Sequence, residues 1–504
     1  MKPEGKILAM DAQSRSAMPF YAVSVLIITV FVLGGSSKDY VPGLLLIRPL
    51  AVAVLAIGLY HLTREDWQDF RLPLGFMAAV LALIMIQLIP LPPALWMALP
   101  GRELAIAAGE AAGIEQPWRP IALVPYRGWN AFYAMLVPAA VMVCAVQLHR
   151  EQHRSLVYLV LAGAVASAAW GVVQAGTGYS AATYFYGTPT ITVPNGLFAN
   201  RNHMAALLAA SLPLFVLIAT RAKGQRMTLV RTACVALGVF ALMMALISGS
   251  RAGLAFSVMS LAASVLVWSA RPNRAAKAQR GARKQAWVPF AFAAFWFTLL
   301  AGFGLVLAQT TGFERLMGAG SGQVEEFRFV VWQTMIDFMP EYLPFGSGIG
   351  SFVEVFKVHE PDAMLATSYW NHAHNDWLEW ALEGGIAAMA LMAVAVLGWC
   401  WKSLALVRNR QTGRIEVQLG LAGAIILFIL GAWSFVDYPT RTPALASLMA
   451  LCAVWIALPE AVRVLGKGRL GSDPGQSRGK NAVGDGARET GKPTGFTART
   501  PDAL

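Results

Sequence analysis

Residues 155–176, SLVYLVLAGAVASAAWGVVQAG, run for 22 positions without one charged side chain. Wound as an α-helix, a stretch of about 20 apolar residues spans the roughly 30 Å hydrocarbon core of a bilayer. Its backbone then satisfies its own hydrogen bonds, which lipid cannot do. Similar runs recur on both sides of it, and together they predict twelve membrane spans: 19–35, 43–61, 73–97, 129–147, 155–176, 203–220, 228–247, 252–270, 287–309, 384–401, 417–436 and 443–459. The fold class expected is all-α, a polytopic integral membrane protein.

Composition agrees. Of 504 residues, 57% are hydrophobic and only 13% are charged, against about 25% charged in a soluble domain. Cys144, Cys234, Cys400 and Cys452 all fall inside apolar runs without CxxC spacing, so they read as small apolar fillers rather than a disulfide framework or metal site. At the N-terminus, basic residues precede the run from Pro19 to Leu33. The following GGSSKDY gives only a faint cleavage pattern, so the run reads as a first span rather than a removable leader.

The net charge of +12 is a topology signal and not a nucleic-acid footprint, because of where the cations sit. Alternate loops carry Lys2, Lys6 and Arg15, then Arg64 and Arg71, Arg150 and Arg154, and Arg221, Lys223, Arg226 and Arg231. The same set continues with RPNRAAKAQRGARK at 271–284, then Lys402, Arg408, Arg410 and Arg414, and a basic tail. The opposite loops are much poorer. Lys/Arg-rich loops stay cytoplasmic, which predicts a multi-pass membrane protein with both termini inside. The expected organisation is a cytoplasmic N-terminus (1–18), spans one to nine (19–309), a large helical periplasmic loop (310–383), spans ten to twelve (384–462) and a disordered cytoplasmic tail (463–504) poor in apolar residues.

The periplasmic loop ends in SYWNHAHNDWLEW, residues 368–380, dense in polar and aromatic side chains. Four arginines share its side of the membrane against the charge rule: Arg201 in GLFANRNHMA, Arg251 in SGSRAGL, Arg328 in the long loop, and Arg441 in DYPTRTP. Asn202 and Ser250 read as helix N-caps, which puts Arg201 and Arg251 beside free backbone N–H groups that favour an anion. A guanidinium adds a two-pronged grip on phosphate. Arg102, Arg119, Arg127 and Arg315 read as ordinary interfacial arginines. In helical spacing Asp376, Glu379 and Glu383 form an acidic stripe that His372 can join, whereas His374 points the other way and suits base catalysis. The glycines of GSGIG, 346–350, read as a tight turn after a helix ended by Pro340 rather than a dinucleotide loop.

FANRNHMA, SGSRAGL, the Arg328–Trp332 segment running into PFGSGIGSF, and HNDWLEWALEGG together resemble, in this order, the O-antigen ligase and polymerase family of bacterial membrane proteins, over roughly residues 190–440. Ligases of that family carry His, a polar residue, nine residues, Gly, two residues, then Gly, Thr or Tyr. His374, Asn375 and Gly385 fit, while position 388 is alanine. The resemblance implies lipopolysaccharide or polysaccharide biosynthesis: transfer of a glycan from an undecaprenyl diphosphate carrier to an acceptor hydroxyl at the periplasmic face, without nucleotide, metal or other cofactor. The acceptor is lipid A–core for a ligase and a carrier-linked glycan for a polymerase; membrane lipids are further partners and nucleic acid is not. On that reading His374, Arg251 and Arg328 are catalytic, and Arg201, Asn202, Ser250, Asn375, Trp332 and Arg441 contact substrate. A lipid-linked oligosaccharide flippase is the competing class, disfavoured because the spans carry no Asp or Glu in their central portions.

Overall fold

The computed structural model describes residues 16–187, 192–272, 322–365 and 369–470, with side chains of the last helix described to residue 458. The expected ninth span, most of the basic run 271–284, Arg315, the first fifteen residues and the tail beyond 470 lie outside the described residues. Sixteen α-helices are described, with one two-residue strand pair. They are α1 Ala17–Leu33, α2 Leu44–His61, α3 Arg64–Asp69, α4 Arg71–Gln87, α5 Pro93–Met97, α6 Glu103–Ala111, α7 Pro125–Ala145, α8 Arg150–Gly176, α9 Arg201–Arg221, α10 Met227–Ile247 and α11 Arg251–Ser269. After the undescribed stretch come α12 Gly322–Phe338, α13 Phe352–His359, α14 Asp376–Arg408, α15 Ile415–Trp433 and α16 Pro443–Leu470.

Among the described residues, eight of these helices are long and apolar enough to cross a membrane, and α1, α4 and the apolar part of α16 are shorter. Their outer surfaces explain the solvent they need. On α1, Tyr21, Val25, Ile28 and Val32 are each more than half exposed along one stripe, while Val23, Leu26, Ile27 and Val30 are buried opposite. Apolar stripes exposed on helix after helix fit lipid and not water. Cys144, Cys234 and Cys452 are buried fillers, whereas Cys400 is exposed.

The centre is α9, apolar on every side and buried from His203 through Thr220 except for Val216 and Ala219. In lipid, helices associate through close packing and interhelical hydrogen bonds rather than hydrophobic exclusion. Against α9, α11 presents Gly253, Ser257, Ser260 and Ser264, all buried, and Ser260 donates to the Ala209 carbonyl at 2.7 Å. The two backbones come so close that a Cβ on Gly253 would sit 2.7 Å from that of Ala205.

Two expectations need correction. The span expected at 73–97 ends as a helix at Gln87. Pro90, Pro92 and Pro93 lack the N–H that would extend it, so the chain instead pairs Pro90–Leu91 with Arg119–Pro120 and starts the short α5. The span expected from 384 begins eight residues earlier: α14 starts at Asp376, so the HNDWLEW stretch caps and opens it.

Helix α14 is broken at Gly385, whose φ of 60° and ψ of −152° suit only glycine. The break orphans carbonyls, and the GSGIG turn supplies their partners. Ser347 N–H donates to Leu382 O at 3.0 Å and Gly348 N–H to Glu383 O at 2.9 Å, while Gln87 Nε2 also donates to Glu383 O at 3.0 Å. A Cβ on Gly385 would lie 2.2 Å from the Pro344 carbonyl. Two separately recognised motifs are thus one packed unit.

Candidate functional site

The first residues of α9, α11 and α14 meet the connection between α15 and α16 at one end of the bundle. At the other end the described basic loops gather: Arg150 and Arg414 pair with buried Glu416, and Arg221 donates to the Gly413 carbonyl at 2.9 Å. Arg150, Arg221 and Arg414, three of the cations behind the topology expectation, therefore share an end, opposite the motif.

At the motif end His374 precedes the N-cap of α14 in a left-handed conformation, φ 52°, uncommon for a residue with a Cβ. Its Nδ1 lies 3.2 Å from Oδ1 of Asp437, which is buried. Asp437 also accepts from Asn202 Nδ2 at 2.6 Å and from the Tyr438 N–H at 3.0 Å. Burial by itself raises the Asp437 carboxyl, but the hydrogen bond and charge of His374, with Arg328 nearby, outweigh it and hold the group well below the usual carboxylate range. An ionised carboxylate only accepts, so the proton of a neutral His374 sits on Nδ1 and the Nε2 lone pair points elsewhere.

His372 is built the same way on another carboxylate. Its Nδ1 lies 3.0 Å from Glu379 Oε1. Glu379 accepts from Ala373 N–H at 2.8 Å and pairs with Arg441 Nη2 at 3.0 Å; Arg441 also grips Asp376 at 2.6 Å. Asp376 and Glu379 of the acidic stripe are accordingly buried and paired, while Glu383, also buried, accepts from the Phe352 N–H at 3.0 Å. Tyr438 lies between the two histidines, with ring centroids 4.4 Å from His372 and 4.8 Å from His374. Burial, then the adjacent Asp437, pushes its phenol well above the ordinary value, so it stays a donor.

A cavity of about 1670 Å³ opens among these residues. Its polar part is lined by Asn200, Arg201, Asn202, His203, Arg328 and His372, and Tyr438 and Arg441 also reach it. Away from the motif it becomes apolar, walled by Phe76 of α4, Met135 of α7, Leu391 of α14 and Met449 of α16, and it extends to Trp401 and Lys402. From Asp376 to Lys402 along α14 is roughly 35–40 Å at helical rise, about the depth of a bilayer.

The predicted site residues divide. Arg201 and Arg328 line the cavity together, and Arg328 Nη1 donates to the Val436 carbonyl at 3.3 Å. Arg251 opens α11, whose first turn packs on α9, but is exposed outside the cavity lining. Ser250 caps α11 through Gly253 N–H at 2.9 Å, as expected. The cap of α9 is Asn200, not Asn202: Asn200 Oδ1 accepts from Asn202 N–H at 2.9 Å. The N–H groups of His203 and Met204 also end on the Asn200 carbonyl, so this helix start does not offer the free backbone donors expected of it. Asn375 is the cap of α14, accepting from Leu378 N–H at 3.1 Å. Trp332 donates to the Ala373 carbonyl at 2.8 Å, clamping the motif backbone between its histidines. Of the arginines expected at the interface, Arg102 is buried and donates to the Ile121 carbonyl at 2.6 Å, while Arg127 pairs with Asp39 and Glu354. Sequence reasoning missed Asp437, Tyr438 and His203; a single Asp ahead of YPTRTP gave no spacing to a histidine 63 residues away.

Fold and site define an all-α polytopic membrane protein whose polar centre closes one end of a deep apolar cavity. Residues 236–393 match the family model of O-antigen ligase, a likeness that covers that stretch of the chain. The match contains Arg251, Arg328, Trp332 and His374; Arg201, Asp437 and Arg441 reach the site from outside it. No curated protein matches the chain.

Proposed function

We propose that the protein is a metal-independent, inverting glycan transferase of the bacterial inner membrane, moving a glycan from undecaprenyl diphosphate to an acceptor hydroxyl at the periplasmic face, with lipid A–core as the acceptor. The observation that carries this reading is the His374–Asp437 pair beside a cavity whose polar end holds Arg201 and Arg328. The polyprenyl chain occupies the apolar length and the diphosphate rests against the two arginines. Nε2 of His374 takes the acceptor proton as the oxygen bonds to the anomeric carbon. The bond from that carbon to the diphosphate breaks, and the diphosphate leaves with the electron pair as the guanidiniums stabilise its charge. His374 touches Tyr438 yet does not line the cavity. That arrangement fits an acceptor approaching from the far side of the donor, and attack from that side inverts the anomeric centre. Arg251, at the neighbouring helix start, assists from the rim.

Detergent-solubilised protein supplied with lipid-linked glycan and acceptor tests the reading. Release of undecaprenyl diphosphate with glycosylated acceptor supports it, and translocation of the lipid without release refutes it. Gene deletion separates the two acceptors: loss of all long chains from the lipid anchor indicates a ligase, and accumulation of single repeat units a polymerase. A reporter fused near residue 280 should be cytoplasmic and one near residue 360 periplasmic; both on one side would exclude a periplasmic site.

A further inference from the structure

His203 is the third residue of α9, buried to 1% exposure, and it lines the cavity beside Arg201 and Asn202. Its ring meets Tyr438 edge-on, with centroids 5.2 Å apart. Neither ring nitrogen has a hydrogen-bond partner among the described residues. An imidazole is a poor choice for mere filling here, since a buried polar group without a partner costs stability that a phenyl ring or thioether avoids. Neighbours on α9 follow the apolar rule: Met204, Ala205, Ala206 and Leu207 are all buried. A polar ring lining a cavity, unpartnered among the described residues and followed by buried apolar neighbours, marks a contact that a ligand completes.

The surroundings specify which part of the ligand. Arg201 and Arg328 share the same wall. The N–H groups of Asn202, His203 and Met204 are already bonded to Asn200, so an anion at this helix start must be gripped by side chains. Resting on the donor reading above, we infer that His203 is a further substrate-contacting residue, donating a ring N–H to a phosphate oxygen of the lipid diphosphate.

The test uses the full-length protein and farnesyl diphosphate, a short-chain diphosphate lipid, as a binding probe independent of transfer. His203→Phe keeps the ring and removes both nitrogens, and His203→Met is the second apolar variant should Phe not fit. Losing one hydrogen bond to a charged oxygen is expected to weaken farnesyl diphosphate binding and raise the donor KM by about tenfold or more. The melting temperature of the ligand-free variant should equal or exceed that of the wild type, and His203→Gln, which keeps an N–H donor, should recover part of the affinity. Variants that bind farnesyl diphosphate like the wild type, or that melt lower without ligand, overturn the inference. A wild type that binds no farnesyl diphosphate overturns the donor reading itself, a result distinct from failure of the variants alone.

Discussion

His374 and His372 are two residues apart, equally buried, and each has Nδ1 on a buried carboxylate. The carboxylates differ. Asp437 has neutral partners in Asn202 and the Tyr438 N–H, and among the described residues its ion pair is with His374. Glu379 is tied to Arg441, which also holds Asp376, and to the Ala373 backbone. One pair is held by neutral donors from α9 and the Tyr438 backbone; the other is a member of the ion network that anchors the start of α14 to the loop before α16. The same side-chain chemistry thus serves orientation of a reactive ring in one place and architecture in the other.

The largest effect should come from His374→Ala, with transfer falling about 10²–10⁴-fold, as loss of a general base typically does, at unchanged membrane abundance. Initial rates at matched protein are the measurement. A near-normal rate would remove His374 from the chemistry.

Arg441→Met comes next and should act on stability. It leaves Asp376 and Glu379 buried without their cation, a situation that costs about 3–5 kcal/mol when one partner of a buried ion pair is deleted. A large drop in melting temperature is expected. Unchanged melting with weakened donor binding would instead make Arg441 the substrate contact that its place on the cavity wall allows.

How much of this contrast could be read from sequence follows from the range of the interactions. The eight described membrane-length helices were legible because hydrophobicity accumulates locally, and the error at residues 88–97 arose because Leu and Trp outweighed the three prolines between them. That His372 joins the acidic stripe was legible as well, since both sit in one motif, although the ring reaches Glu379 from before the N-cap Asn375 and not from the helix itself. Asp437 was not, because nothing local says that the loop after α15 returns to a turn 63 residues earlier. Nor was the mating of GSGIG with Gly385, which depends on a helix break visible only once both backbones are placed.

Asp437→Asn should lower transfer by one to two orders of magnitude, less than loss of the ring. An amide presents N–H to a site where His374, Asn202 and Tyr438 all donate, so one donor must turn away. Acidity offers a second reading of the same residue. A carboxyl whose folded pKa lies below its unfolded value of about 3.9 stabilises the fold fully above that pH and ceases to do so only as pH falls through the folded value. Asp437 is depressed in this way, so activity lost between pH 7 and 5 does not come from protonation of this carboxyl.

The smallest effect is expected of His372→Ala, only a few-fold in rate. Removing this ring takes one donor from Glu379, but Arg441 Nη2 and the Ala373 N–H still satisfy the carboxylate, and Trp332 still clamps the Ala373 carbonyl. His374 keeps its own carboxylate untouched. What changes is the cavity wall, where His372 lies and His374 does not, so the few-fold loss should appear in the donor KM with kcat nearly constant. The decisive comparison sets kcat of His372→Ala against that of His374→Ala in one membrane preparation. Should His372→Ala lose kcat by 10²-fold or more while His374→Ala retains it, the ring facing the cavity is the base, the Glu379 network is catalytic, and the roles assigned to the two pairs exchange.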